Sequence, residues 1–137
     1  MSYIGLNALQ ILAATLVGLA FGAAYHALTR PLEGAPRDGA ARYGPLFLLT
    51  AFLAEFWLAS ILAGALILAP PGAGAWVMAI GSALVIWIGF VVPALVVAQG
   101  YRGAPARVVA LDCGHWLVVM LAQAVVMKAL GLAPPPG

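Results

Sequence analysis

Charge is the scarcest property of this 137-residue chain. Six Lys and Arg stand against four Asp and Glu, 7% charged residues in all, where a soluble domain carries about a quarter. That shortage excludes a soluble globular domain. A net charge of +2 gives no basis for a nucleic-acid partner. Cysteine is nearly absent too. Cys113 stands alone, so no internal disulfide can form, and it reads as a small packing residue. No Gly-rich phosphate loop, metal-ligand spacing or nucleophile motif occurs. The expectation is therefore a protein that is not an enzyme and that needs no cofactor or metal.

What the chain has in abundance is apolar sequence, at 65% hydrophobic residues and a mean hydropathy of +1.09. It falls into four stretches, at about 6–28, 46–68, 76–98 and 108–130. About 20 apolar residues of helix cross a hydrocarbon core of roughly 30 Å, and each stretch meets that length. Ala, Leu and Val without strict alternation favour helices over barrel strands. No Lys or Arg precedes the first stretch, and it is longer than a signal-peptide core, so it reads as a retained span. The expected fold is all-α: one integral membrane domain over residues 1–137, a four-helix bundle with antiparallel, up-and-down neighbours joined by short connections.

Basic residues predict the orientation. Arg30, Arg37 and Arg42 lie between the first two stretches, and Arg102 and Arg107 between the last two. The connection "APPGAGA" has none, and only Lys128 lies near that face. The positive-inside rule places the arginine-bearing connections in the cytoplasm and both termini on the non-cytoplasmic side. Tyr25, Tyr43 and Tyr101 then fall at the inner interface, and Tyr3 and Trp76 at the outer one. Pro70 and Pro71 end the second span, and the tail "APPPG" reads as an extended stub. "EGAPR" after span one and "RGAPAR" after span three echo each other faintly, as chance allows in a chain with 16 Gly and 10 Pro.

Lipid tails are as apolar as leucine, so membrane helices associate through close backbone approach and polar links. Ala14, Gly18 and Gly22 recur every four residues and share one face of the first span. Gly81, Ser82 and Gly89 offer small residues in the third, and Gly114 in the fourth. Pro93 lies well inside the third span, where its missing N–H leaves the Gly89 carbonyl unpartnered and predicts a kink.

The buried polar residues are few. Glu55 falls about 14 Å into the second span at ~1.5 Å per residue, near the midplane. A carboxylate there costs on the order of 3 kcal/mol to insert, so it must face the bundle or a wet cavity. Asp112 and His115 are three apart and share a face of the fourth span. His26 enters from the same end on the first. Asp112 is expected to pair with His26, and His115 to approach Glu55. Gln123 is expected to hydrogen-bond a neighbouring helix. These groups stand open to three readings: structural hydrogen bonding, a proton or ion path through Glu55, Asp112, His115 and His26, or a haem held by His26 and His115.

The second half, "GSALVIWIGFVVPALVVAQGYRGAPARVVALDCGHWLVVMLAQAVVMKALG", resembles the bacterial membrane family called domain of unknown function 1761. That family tends to show a Gly-Phe followed closely by Pro, as Gly89, Phe90 and Pro93 do. A short basic turn follows, and then an aliphatic span with a small residue and an aromatic pair, as Gly114, His115 and Trp116 provide. "FGAAYHALTRPL" echoes the end of the family's first span. The resemblance implies a small, multi-pass protein of the bacterial inner membrane and supplies no activity. The working expectation is an accessory subunit of a larger membrane complex, or a homo-oligomer, acting through helix contacts within the lipid bilayer. A proton-coupled exporter centred on Glu55 is the alternative.

Overall fold

The computed structural model describes residues 2–33, 44–70, 72 and 74–136. Arg37, Arg42 and Tyr43, which entered the orientation argument, lie outside them. Among the described residues every regular element is helical. A short α1 (Ser2–Leu6) stops at Asn7, whose φ of −110° and ψ of 23° interrupt the helix before α2 (Ala8–Thr29) begins. One 3-10 turn, Arg30–Glu33, continues α2. Extended Gly44 precedes α3 (Pro45–Leu68), which starts on a proline where the missing N–H has no helical partner to lose. Ala69 turns extended after it, ahead of Pro70.

The third span is built in three pieces: α4 (Ala75–Ile86), a π-helical turn at Trp87–Val91, and α5 (Val92–Tyr101). The disruption expected from Pro93 takes this form. The Val92 amide reaches back to the Trp87 carbonyl, five residues away, so the ladder widens just before the residue that cannot donate. α6 (Ala106–Leu130) follows a tight turn containing Gly103 at φ 67° and ends at Gly131, whose φ of 79° lets the chain leave the helix while its amide bonds Met127.

Four helical segments, Ala8–Leu32, Pro45–Leu68, Ala75–Tyr101 and Ala106–Leu130, are long and apolar enough to cross a membrane. Thr15, Thr29, Thr50 and Ser60 each donate a hydroxyl to the carbonyl four residues back. Their donors are thereby satisfied within their own helices, as an apolar surrounding requires.

The core is small-residue packing among α2, α3, α4 and α6. Ile11 and Ala14 meet Ala59, Leu62 and Ala63, with Ala83, Met120, Ala124 and Met127 completing the cluster. Contacts between α2 and α6 run in opposite senses. Asn7 meets Ala133, Gln10 meets Gly131, Gly18 meets Gln123 and Gly22 meets His115. The Ala14, Gly18 and Gly22 stripe is buried as its spacing predicts.

Other expectations need correction. Gly89, read as a packing residue with Pro93, is exposed, as Pro93 is, and a Cβ built on Gly89 or Gly81 meets nothing within 4 Å. The third span touches the bundle through Ala79, Ala83 and Trp87, and Gly89 and Phe90 lie on the side away from it. Gly64 packs unexpectedly, with the Tyr3 ring across it and the Tyr3 hydroxyl donating to the Ser60 carbonyl at 3.1 Å. Tyr3 is thus an interhelical link as well as an end-of-span aromatic. The C-terminal stub is held down. Asn7, fully buried, donates to the Ala133 carbonyl at 2.9 Å and accepts from the Ala133 amide at 2.7 Å.

Candidate functional site: a polar seam beside the α2 glycines

α2 presents bare backbone at Gly18 and Gly22, one helical turn apart. Polar side chains from α3 and α6 lie directly against it. Glu55, the eleventh of 24 residues in α3, is 5% exposed, and Gln123 of α6 is wholly enclosed. The Gln123 amide donates from Nε2 to Glu55 Oε2 at 2.6 Å. Both atoms cross over Gly18, where a Cβ would stand 2.7 Å from Gln123 Nε2 and 2.8 Å from Glu55 Oε2. Glycine at 18 is what lets the pair form between three helices.

Gln123 Oε1 has no partner, although it is buried. Turning the amide over would hand an acceptor to Glu55 and leave the nitrogen unpaired instead. In either orientation one hydrogen-bonding atom stays unsatisfied by the described side chains. Buried polar atoms are nearly always paired, so this corner has the chemistry for one more small polar group, such as a water molecule.

One turn along α2, aromatic rings replace the carboxyl. The His26 and His115 rings lie 4.3 Å apart at 33°. Tyr25 meets His115 edge-on at 5.7 Å, and Trp116 does so at 5.1 Å. A Cβ on Gly22 would fall 2.8 Å from His115 Nε2, and one on Gly114 would fall 2.6 Å from the Tyr25 hydroxyl. Val119, fully buried, stands beside Gly22. Gly18 and Gly22 are about 6 Å apart along the axis at ~1.5 Å per residue, which sets the scale between the histidine cluster and the carboxyl.

Asp112 and Cys113 serve the third span. Gln99 of α5 donates to Asp112 Oδ2, and the Trp87 indole donates to the Cys113 carbonyl at 2.8 Å. The free, buried Cys113 is a packing residue here.

The expected pairings are thus rearranged. Asp112 takes Gln99 rather than His26, His26 stacks on His115, and Glu55 bonds Gln123 rather than His115. Counted from their helix starts, Glu55 and His115 have nearly equal depth, but the Glu55 carboxyl meets a residue eight positions further along α6. Gln123 does bond a neighbouring helix, as expected. Asn7 and Gln10, which tie the tail, had no distinguishing signal beyond being polar at the start of an apolar run.

The haem reading does not fit the histidines. Two imidazoles on opposite sides of one metal have their nitrogens about 4 Å apart and their ring centres further still, given metal–nitrogen bonds of about 2 Å. Rings stacked at 4.3 Å leave no plane for a macrocycle between them. Among the described residues, no three His, Cys, Asp or Glu side chains converge as a metal site would require.

Four long apolar helices around a buried polar seam define an all-helical protein with the span pattern of a multi-pass membrane protein. Within that class the chain belongs to a family of proteins of unknown function (DUF1761), which it matches over residues 9–128. The match runs from the start of α2 almost to the end of α6. Neither the curated proteins nor the solved structures gave a match.

Proposed function

We propose that the protein is a small, non-enzymatic, multi-pass protein of the bacterial inner membrane in which Glu55 takes up and releases a proton, as in a proton-coupled transporter. The observation that supports this reading is the buried Glu55–Gln123 pair with one amide atom left unsatisfied. An ionisable residue in the middle of a span is costly and marks function by default. Here it faces helices instead of acyl chains. A purely structural link would be met equally well by two amides. The histidine cluster on the same seam supplies groups of the kind that relay protons.

Charge supports the orientation. Arg30, Arg102 and Arg107 lie at the end of the bundle that carries the histidines, and Lys128 at the other. The positive-inside rule then directs the histidine end to the cytoplasm and both termini outward. A reporter active only in the cytoplasm, fused at the C-terminus, is expected to stay silent. Activity there would reverse the orientation.

Infrared spectroscopy of the protein in lipid vesicles tests the role of Glu55. A carboxylic-acid band that shifts on transfer to heavy water and is absent from Glu55→Gln is the expected result. A Glu55 whose spectrum never changes with solvent isotope would defeat the reading.

The second reading is an accessory or homo-oligomeric subunit working through helix contacts. It is favoured by the third span, of whose most apolar window only 6% is buried, against 28% for each of the others. A different subunit that co-purifies into lipid nanodiscs is the outcome expected of this reading, whereas a dimer of this chain alone fits the transporter as well.

A further inference from the structure

Gly18, Gly22 and His26 lie four residues apart on one face of α2, and an ionisable group stands at each level. The Glu55 carboxyl crosses Gly18, a ring nitrogen of His115 lies over Gly22, and the His26 ring stacks on His115 at 4.3 Å. Exposure rises in that order. Glu55 is 5% exposed, His115 is 9% exposed, and His26 is half-buried. The other ionisable side chains near His115 are Tyr25, whose ring meets it edge-on, and Asp112, which accepts from Gln99.

The bundle differs on the two sides of Glu55. Glu55 is the first buried residue of α3, and residues 45–54 before it are exposed or half-buried. Neither the π-helical turn nor α5 has a buried residue. On the histidine side, therefore, only α2 and α6 bury side chains or backbone against each other. On the other side, Ile11, Ala59, Leu62, Ala63 and Met127 are wholly enclosed and carry no exchangeable side-chain proton. The Thr15 and Ser60 hydroxyls there are committed to carbonyls of their own helices. Gln123 Oε1, unpaired at the Gly18 level, calls for one more donor. The axial step from Gly18 to Gly22 is about 6 Å at ~1.5 Å per residue. One water bonded at both ends, at about 2.8 Å each, has that reach.

We propose that Glu55 exchanges its proton with the histidine end of the bundle alone, through His115 and one bridging water. The route rests on the reading of Glu55 as the proton-carrying acid. The His115 imidazolium gives its ring N–H proton to the water as the water gives one of its own to the Glu55 carboxylate. Neutral imidazole, an intact water and a carboxylic acid result. Discharge reverses these steps, and His26 stands one turn further toward the end of α2 to pass the proton on. The apolar plug beyond Glu55 shuts the opposite end in this conformation.

Time-resolved infrared spectroscopy of the full chain in lipid vesicles, mixed rapidly with heavy water, reads the rate at which the Glu55 acid band shifts. His115→Ala is expected to slow the shift about a hundred-fold, the low end of what a positioned proton-transfer group supplies. Added imidazole is expected to restore much of the rate. Pyrazole, which fills the same space but takes up no proton near neutral pH, is not. His115→Gln is expected to slow the shift equally, and it carries the test should the alanine variant fail to fold, as melting temperatures show. Thr15→Val, about one turn from Gly18 on the opposite side, is expected to leave the rate unchanged. An unchanged rate in a folded His115 variant, equal rescue by pyrazole, or slowing by Thr15→Val as large as by His115→Ala would each overturn the route and leave the role of Glu55 standing. A wild-type band that never shifts would overturn the role of Glu55 and the route with it.

Discussion

Glycines Gly18 and Gly22 of α2 and Gly81 and Gly89 of the third span look alike in sequence. Each pair lies inside an apolar run with small residues nearby. In the fold their surroundings are opposite. A side chain at 18 or 22 would strike Gln123, Glu55 or His115, whereas one at 81 or 89 meets nothing within 4 Å. What separates them is the partner. α2 runs along α6 for its whole length and carries the seam of polar contacts, while the third span leans on the bundle by one narrow face. A glycine in a membrane helix matters where a polar side chain from another helix needs its space, and spacing within one helix does not report that.

The sharpest way to break this comparison is to put the same residue at both places. Gly18→Leu must push aside the Glu55 and Gln123 ends. These are flexible side chains, but they are bonded to each other in an enclosed space. Overpacking costs about 1–3 kcal/mol, and the broken link adds to it. Loss of most of the folded yield is expected, with a smaller fall for Gly18→Ala. Gly89→Leu is expected within about 0.5 kcal/mol of wild type, as for any open position. Thermal unfolding in mild detergent compares the three, and equal loss at 18 and 89 would erase the distinction.

The next test stays on the seam. Gln123→Leu keeps roughly the same bulk but strips Glu55 of its hydrogen bond. A buried group left unpaired costs about 1–3 kcal/mol. Glu55→Gln keeps a pairing partner for Gln123 and is expected to cost well under half as much. The order of these two melting temperatures checks the pair. If Glu55→Gln were the more damaging, the carboxyl would be engaged by more than this amide.

Much of this architecture is readable from the sequence, and for physical reasons. Apolar run length predicts the helices because the backbone must be satisfied within each segment. The third span breaks where Pro93 removes a donor, and Ala14, Gly18 and Gly22 share a face because 3.6 residues make a turn. The pairing of the polar groups is not readable. The expected approach of His115 to Glu55 rests on depth counted from the ends of spans two and four, and such counting assumes that the ends are level. Which residues of α3 and α6 come level depends on the packing of the whole cluster, in which Ala59, Leu62 and Ala63 take part. Asn7 shows the same limit at the bundle end. Its partner, Ala133, is a backbone group 126 positions away, and no side-chain pattern marks it.

Asn7 belongs to the well-packed side of the comparison, and removing it should loosen one end without opening the seam. Asn7→Ala deletes both bonds to Ala133, at about 0.5–1.5 kcal/mol each. The tail from Gly131 to Pro136 is expected to gain hydrogen-exchange and protease sensitivity, with a modest fall in melting temperature. Exchange that rises equally around Gln123 would mean that the tail clamp and the seam form one cooperative unit.

A smaller loss again is expected where the third span is tied to the rest. The Trp87 indole donates to the Cys113 carbonyl at 2.8 Å, from within the π-helical turn. Hydrogen bonds between membrane helices average about 0.6 kcal/mol, because the separated helices also find partners. Trp87→Phe keeps most of the ring and removes only the donor. A shift of that size is expected in the melting temperature, and the Cys113 thiol should become more reactive to a membrane-permeant alkylating reagent as the span loosens. A loss as large as that of Gly18→Leu would show that this one bond holds the third span in place. The narrow face of α4 would then contribute little, and the contrast between the two glycine sets would come from that bond instead of from packing.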